Sequence, residues 1–105
     1  MRSATFDLLA FEKNATDVAN ILRAMANEHR LMILCKLAEK GEATPGSLAE
    51  DVGLSQSALS QHLAKMRQED MVIARRDGQT LWYRIADPRI GTLLNTLHRL
   101  FCSNV

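Results

Sequence analysis

Between Thr44 and Glu69 two helix signals stand one tight turn apart, and that arrangement restricts the fold more than any other feature of the 105 residues. Thr44-Pro45 opens the first, since a proline at the first helical position gives up a hydrogen bond that this position never makes. The run through Leu48, Ala49 and Val52 then stops at Gly53. Ser55 can cap the second, a longer helix over about 56–69, whose apolar Leu59, Leu63 and Met66 recur at spacings of four and three. At about 100° per residue the opposite face carries Gln56, Ser57, Ser60, Gln61, Ala64 and Lys65.

The flanking segments complete a pattern. Upstream, Val18, Ile21, Leu22 and Met25 follow the helical period behind a cap at Asn14 or Thr16, and a further turn or two can precede them around Phe6, Leu9 and Phe11. A second helix from Glu28 to just before Gly41 is expected to bury Leu31, Met32, Ile33, Leu34 and Leu37 and so to form the centre of the core. Downstream, Val72-Ile73-Ala74, a turn at Asp77-Gly78 and the β-forming run 80–85 predict a hairpin with a basic edge. Asp87-Pro88 opens a last helix, along which Ile90, Leu93, Leu94, Leu97, Leu100 and Phe101 form a nearly continuous apolar stripe. The predicted fold is mainly α with one β-hairpin, in the order α-α-α-α-β-β-α: a winged helix-turn-helix, read as a single domain over 1–105.

In such a fold the helix after the turn lies in the major groove and offers side chains from its N-terminal half to base edges. Glutamine can pair with adenine in bidentate fashion, serine can donate or accept with a base or phosphate, and an alanine leaves room for a thymine methyl. Gln56, Ser57, Ser60 and Gln61 are therefore the candidates for base or phosphate contact. Lys65 and the hairpin residues Arg75, Arg76 and Gln79 are the candidates for the phosphate backbone, where arginines position a protein without reading sequence. The charge distribution agrees, although the net charge is only +1. Six basic against eight acidic residues up to Leu54 leave −2, whereas Lys65, Arg67, Arg75, Arg76 and Arg84 against Glu69, Asp70 and Asp77 leave +2. A solvated surface, with some arginines paired to Asp77 or Glu69, is the alternative meaning of that excess.

Other classes find little support. No apolar run approaches the roughly 18 residues a membrane span requires, and the N-terminus lacks the features of a secretion signal, so a soluble cytoplasmic protein with no membrane partner is expected. No phosphate-cradling glycine loop, nucleophile–base pair or paired carboxylates suggest an enzyme, and no cofactor is expected. Cys35 and Cys102 are too few for a disulfide framework, which leaves buried packing or redox chemistry open.

Three stretches carry a family resemblance: Ala24-Met25-Ala26-Asn27-Glu28-His29-Arg30-Leu31-Met32-Ile33-Leu34, then Gly53-Leu54-Ser55-Gln56-Ser57-Ala58-Leu59-Ser60-Gln61-His62-Leu63, then Arg76-Asp77-Gly78-Gln79-Thr80-Leu81-Trp82-Tyr83. They resemble the ArsR/SmtB family of bacterial repressors, over about residues 14–102. The resemblance implies a homodimer joined by the first and last helices, with 87–102 as dimerisation helix. It also implies a pseudo-palindromic double-stranded DNA operator released when an inducer is sensed, and it adds Ser55 and His62 to the DNA-facing set. The family's usual metal sites are not matched: 43–48 lacks thiols, and the last helix offers Asp87 and His98 without the remaining ligands, so no metal is expected. The placement of Cys35 and Cys102 is similar to the dithiol subgroup that includes BigR, SqrR and HlyU. That likeness implies a redox sensor whose DNA binding weakens when reactive sulfur or another oxidant modifies the pair. One departure is the connection Lys40-Gly41-Glu42-Ala43-Thr44, about one residue longer than the subgroup usually has and expected in a loop.

Overall fold

The computed structural model describes residues 6–102. Six helices and a hairpin follow one another as α1 (Leu8–Lys13), α2 (Ala15–Met25), α3 (Glu28–Lys40), α4 (Pro45–Val52), α5 (Gln56–Gln68), β1 (Val72–Asp77), β2 (Thr80–Ile85) and α6 (Pro88–Cys102). Side-chain caps set the starts of α3, α4 and α5, as Asp7 does for α1 and Asp87 for α6, each typically contributing about 1 kcal/mol. Asn27 Oδ1 accepts the Arg30 N–H at 3.1 Å, Thr44 Oγ1 that of Ser47 at 3.2 Å, and Ser55 Oγ that of Ala58 at 3.1 Å. Asn14 does not cap α2 as its type suggests. Its Nδ2 donates back to the Ala10 carbonyl at 2.9 Å and closes α1 instead.

The turn between α4 and α5 relies on Gly53 in the left-handed conformation, φ 71°, which an L side chain would strain. At the far end of α5 an aspartate takes that role. Asp70 has φ 60°, and the Met71 N–H then reaches the Met66 carbonyl at 2.8 Å, closing the helix as it hands over to β1.

The core is built from one face of every long helix. Ile33, Leu34 and Leu37 of α3, Leu48 of α4, Leu59, Leu63 and Met66 of α5, Val72 of β1 and Ile90 of α6 are fully enclosed. The helix expected to be buried on most sides is in fact open on one: Met32 is 50% exposed and lies on the same outward face as Cys35. Arg30 joins three elements at the core's edge, its Nη1 donating to the Ala24 carbonyl of α2 at 3.1 Å and to Glu69 Oε1 beyond α5 at 3.4 Å.

Pairing of Asp77 with Thr80 makes Gly78-Gln79 the two-residue loop of the hairpin, one position later than the sequence reading placed it. Gly78 has φ 64° while Gln79 does not turn left-handed, which is the II′ pattern suited to twisted strands. Strand alternation then sorts the wing. Val72, Ala74 and Arg76 share a face with Leu81, Tyr83 and Ile85, whereas Ile73 and Arg75 share the other with Trp82 and Arg84. The 40–44 connection is not a free loop. The Ala43 N–H donates to the Tyr83 carbonyl at 3.0 Å and the Tyr83 N–H to that of Ala43 at 2.8 Å, adding a one-residue third strand to β2.

The chain is extended for its size. Its radius of gyration is 15.6 Å, against about 13 Å for a compact domain of this length. The excess comes with exposed apolar side chains at the helical ends: Leu8, Leu9 and Phe11 of α1, Leu22 of α2, and Leu100 (71%) and Phe101 (80%) of α6. No helix among the described residues is long and apolar enough to cross a membrane.

Candidate nucleic-acid interface and thiol pair

The buried Leu59, Leu63 and Met66 fix the rotation of α5, so its polar face has to point outward. Gln56, Ser57, Ser60, Gln61 and Lys65 are all exposed on it, and Ala64 lies among them. Ser55 is exposed too, with its hydroxyl oxygen engaged as the helix cap. Gln56 lies over the first turn of α4, where a β-carbon on Gly46 would stand 3.6 Å from its Nε2. A cleft between α5 and β2, lined by Ser60, Ala64, Arg67 and Leu81, sets the wing beside this face. Arg67, which counts in the sequence only toward the charge balance, lines this cleft. Its place one turn beyond Ala64 on the same stripe was the signal available.

His62 sits differently from its neighbours. The ring is half-buried, with its centroid 5.8 Å from that of His29 on α3. Burial pushes its pKa below the ordinary 6.5, and the charges of Arg30 and His29 act in the same direction. A histidine whose folded pKa lies below its unfolded value adds stability above the unfolded pKa, and that contribution is lost as pH falls through it toward the folded value. The thermal midpoint is therefore expected to drop between about pH 7.5 and 5.5, a window set by the histidine reference value, and to drop less in His62→Gln. Glu42, Asp51 and Asp87, held below the ordinary carboxylate range by hydrogen bonds from Arg75, Lys40 and Arg89 respectively, titrate outside that window. Parallel melting curves for the two proteins across it would place the pH dependence elsewhere.

The two wing arginines part company. Arg76 is exposed on the strand face shared with Leu81, and Gln79 is exposed at the hairpin tip. Arg75 lies on the other face, where its Nε and Nη2 donate to the two carboxylate oxygens of Glu42 at 2.7 and 2.9 Å. Its guanidinium also stands 5.7 Å from the Trp82 ring centroid. Glu42 was not foreseen as a partner, because the sequence gives no sign that residues 42–43 pair with the hairpin.

Both thiols are exposed rather than enclosed in the core. Cys35 opens on a groove of about 790 Å³ between α3 and α6, lined also by Met32, Lys36, Arg84, Leu94 and His98. Partial burial raises the Cys35 pKa, and the charge of Cys102 raises it further. Cys102, 67 positions further along, is the last residue of α6, the helix on the other side of that groove. Among the described residues no three His, Cys, Asp or Glu side chains gather as a metal ion would require.

Residues 27–74 match the family described as bacterial regulatory protein, arsR family. The transcriptional activator HlyU of Vibrio cholerae serotype O1 is 41% identical over 97% of this chain and 94% of its own. The crystal structure of the transcriptional repressor BigR from Xylella fastidiosa superposes with a TM-score of 0.86 at 35% identity, covering 92% of this chain and 98% of that one. The solution structure of the homodimeric winged helix-turn-helix DNA-binding domain of Mb0332 from Mycobacterium bovis gives a TM-score of 0.73 at 29% identity, over 93% and 89% of the two chains. The architecture is thus a winged helix-turn-helix, and the relatives are regulators rather than enzymes.

Proposed function

The chain belongs to the arsR family of bacterial regulatory proteins, and from that premise we propose that it is a homodimeric repressor whose grip on a pseudo-palindromic operator is weakened by oxidation or persulfidation of Cys35 and Cys102. The observation that carries the DNA-binding part is the outward polar face of α5, set beside the wing by the α5–β2 cleft. In a twofold dimer, two such helices meet successive major grooves roughly 34 Å apart. Gln56, Ser57, Ser60 and Gln61 then face bases or phosphates, Ser55 stands at the point of entry, and Lys65, Arg76 and Gln79 lie along the backbone. His62 supports α5 from behind rather than touching DNA. The exposed apolar ends of α1, α2 and α6 form the dimer surface.

The thiol switch is supported by the exposure of both thiols and by the groove that sets α3, which carries Cys35, against α6, which ends at Cys102. A donor RS–SH passes its outer sulfur to one thiolate and leaves as RS⁻. Attack of the second thiolate on the protein sulfur of that persulfide closes a Cys35–Cys102 disulfide and releases HS⁻, and further sulfurs can lengthen the bridge. The product ties α3, at the centre of the core, to α6, at the dimer surface, and so alters the separation of the two α5 helices.

Fluorescence anisotropy on duplex from the protein's own promoter region tests both parts. The reduced protein is expected to bind with steep salt dependence and to lose about tenfold or more in affinity after a sulfane-sulfur donor, with recovery on reduction. Cys35→Ser and Cys102→Ser are expected not to respond. Unchanged affinity in the wild type would leave a regulator without a thiol switch, and no duplex binding would remove the DNA-binding reading.

A further inference from the structure

We propose that Glu42 restrains the wing, its carboxylate keeping the wing arginine Arg75 from DNA phosphates and so lowering the sequence-independent part of the protein's grip on duplex. The inference rests on the DNA-binding reading above and adds a residue outside the recognition helix.

The hairpin register separates the two adjacent wing arginines onto opposite faces. Arg76 has no ion-pair partner among the described residues, whereas the Arg75 guanidinium is met by both oxygens of Glu42 and lies beside the Trp82 ring. A two-point pair of this kind fixes the plane of the guanidinium as well as its charge. Glu42 is itself delivered by backbone. It follows the end of α3 at Gly41 and precedes Ala43, which is bonded both ways to Tyr83 of β2, so its position is tied to the wing it acts on.

Binding to random duplex comes almost wholly from phosphate neutralisation and counterion release, while discrimination is a difference between two affinities. An arginine already neutralised by a carboxylate contributes little to the first quantity. A phosphate contact withheld in this way lowers affinity for every sequence alike and leaves discrimination to the base contacts of α5. The pair is partly exposed, with 32% of the Glu42 and 52% of the Arg75 side chain accessible, so it adds little to folding stability and its removal leaves the fold in place.

The test is anisotropy on a random duplex and on promoter duplex, from about 50 to 200 mM salt, with wild type, Glu42→Gln, Arg75→Gln and the double variant. Glu42→Gln is expected to steepen the salt slope on random duplex by about 0.9, which across a fourfold range of salt is about a 3.5-fold larger change in affinity. It is expected to steepen the slope on promoter duplex by a similar amount and so to leave the promoter-to-random ratio unchanged, and Glu42→Ala to do the same. In the double variant the slope should return to that of Arg75→Gln. An unchanged or shallower slope in Glu42→Gln, or a steepening that survives in the double variant, overturns the assignment. A wild type that binds no duplex brings down the DNA-binding reading as well, whereas a wild type that binds beside an unresponsive Glu42→Gln brings down this inference alone.

Discussion

Replacing Leu100 and Phe101 together by aspartate is expected to leave the protein monomeric and to abolish promoter binding. These side chains are 71% and 80% exposed at the end of α6, and the other large apolar side chains exposed on helices lie on α1 and α2, apart from Met32. An apolar area of that kind on a small domain is a surface waiting for a partner. Burying a leucine or phenylalanine contributes roughly 1.5–3 kcal/mol, and a twofold interface contains each residue twice. Losing four such side chains, and placing charges where they were, is expected to raise the dimer dissociation constant by more than about a thousandfold. Sedimentation velocity reads the association state, and anisotropy reads the loss of the second half-site. A double variant that still sediments as a dimer would mean that α6 ends outside the interface.

The second large effect concerns the underside of α5. Leu59 is fully buried, one turn into the helix and directly behind the face that carries Ser60 and Gln61. Leu59→Ala is expected to cost about 2–5 kcal/mol, the lost transfer energy plus the cavity left behind. For a domain of this length, that corresponds to a fall in Tm of roughly 10–25 °C. Calorimetry at fixed protein concentration is the appropriate measure, since dimerisation makes the midpoint depend on concentration. A fall of less than about 4 °C would mean that α5 is docked by something other than its apolar stripe.

The order of elements was legible because each boundary has a local cause. Thr44-Pro45, Gly53 and Ser55 act through their own backbone and hydroxyls, and their consequences are visible a turn away in the sequence. The exposure of the α5 polar face follows in the same way from the spacing of Leu59, Leu63 and Met66. What the residues could not disclose was contact between distant segments. Ala43 gives no sign of pairing with Tyr83, so Glu42 could not be matched with Arg75, 33 positions away. The same limit explains Met32, whose helical position is apolar by type yet opens onto the groove beside Cys35. Local signals also competed: Asn14 has the chemistry to cap the helix that follows it, and it closes the one before. His62 stands within a serine and glutamine run that faces solvent, but its phase on α5 turns it toward His29.

Arg30 has a consequence at a distance. One guanidinium nitrogen answers the α2 carbonyl of Ala24 and the carboxylate of Glu69, the residue at which α5 ends. Arg30 therefore works as a strut: a displacement of α2, one of the helices with an exposed apolar side chain, is passed to the far end of α5 through a single guanidinium.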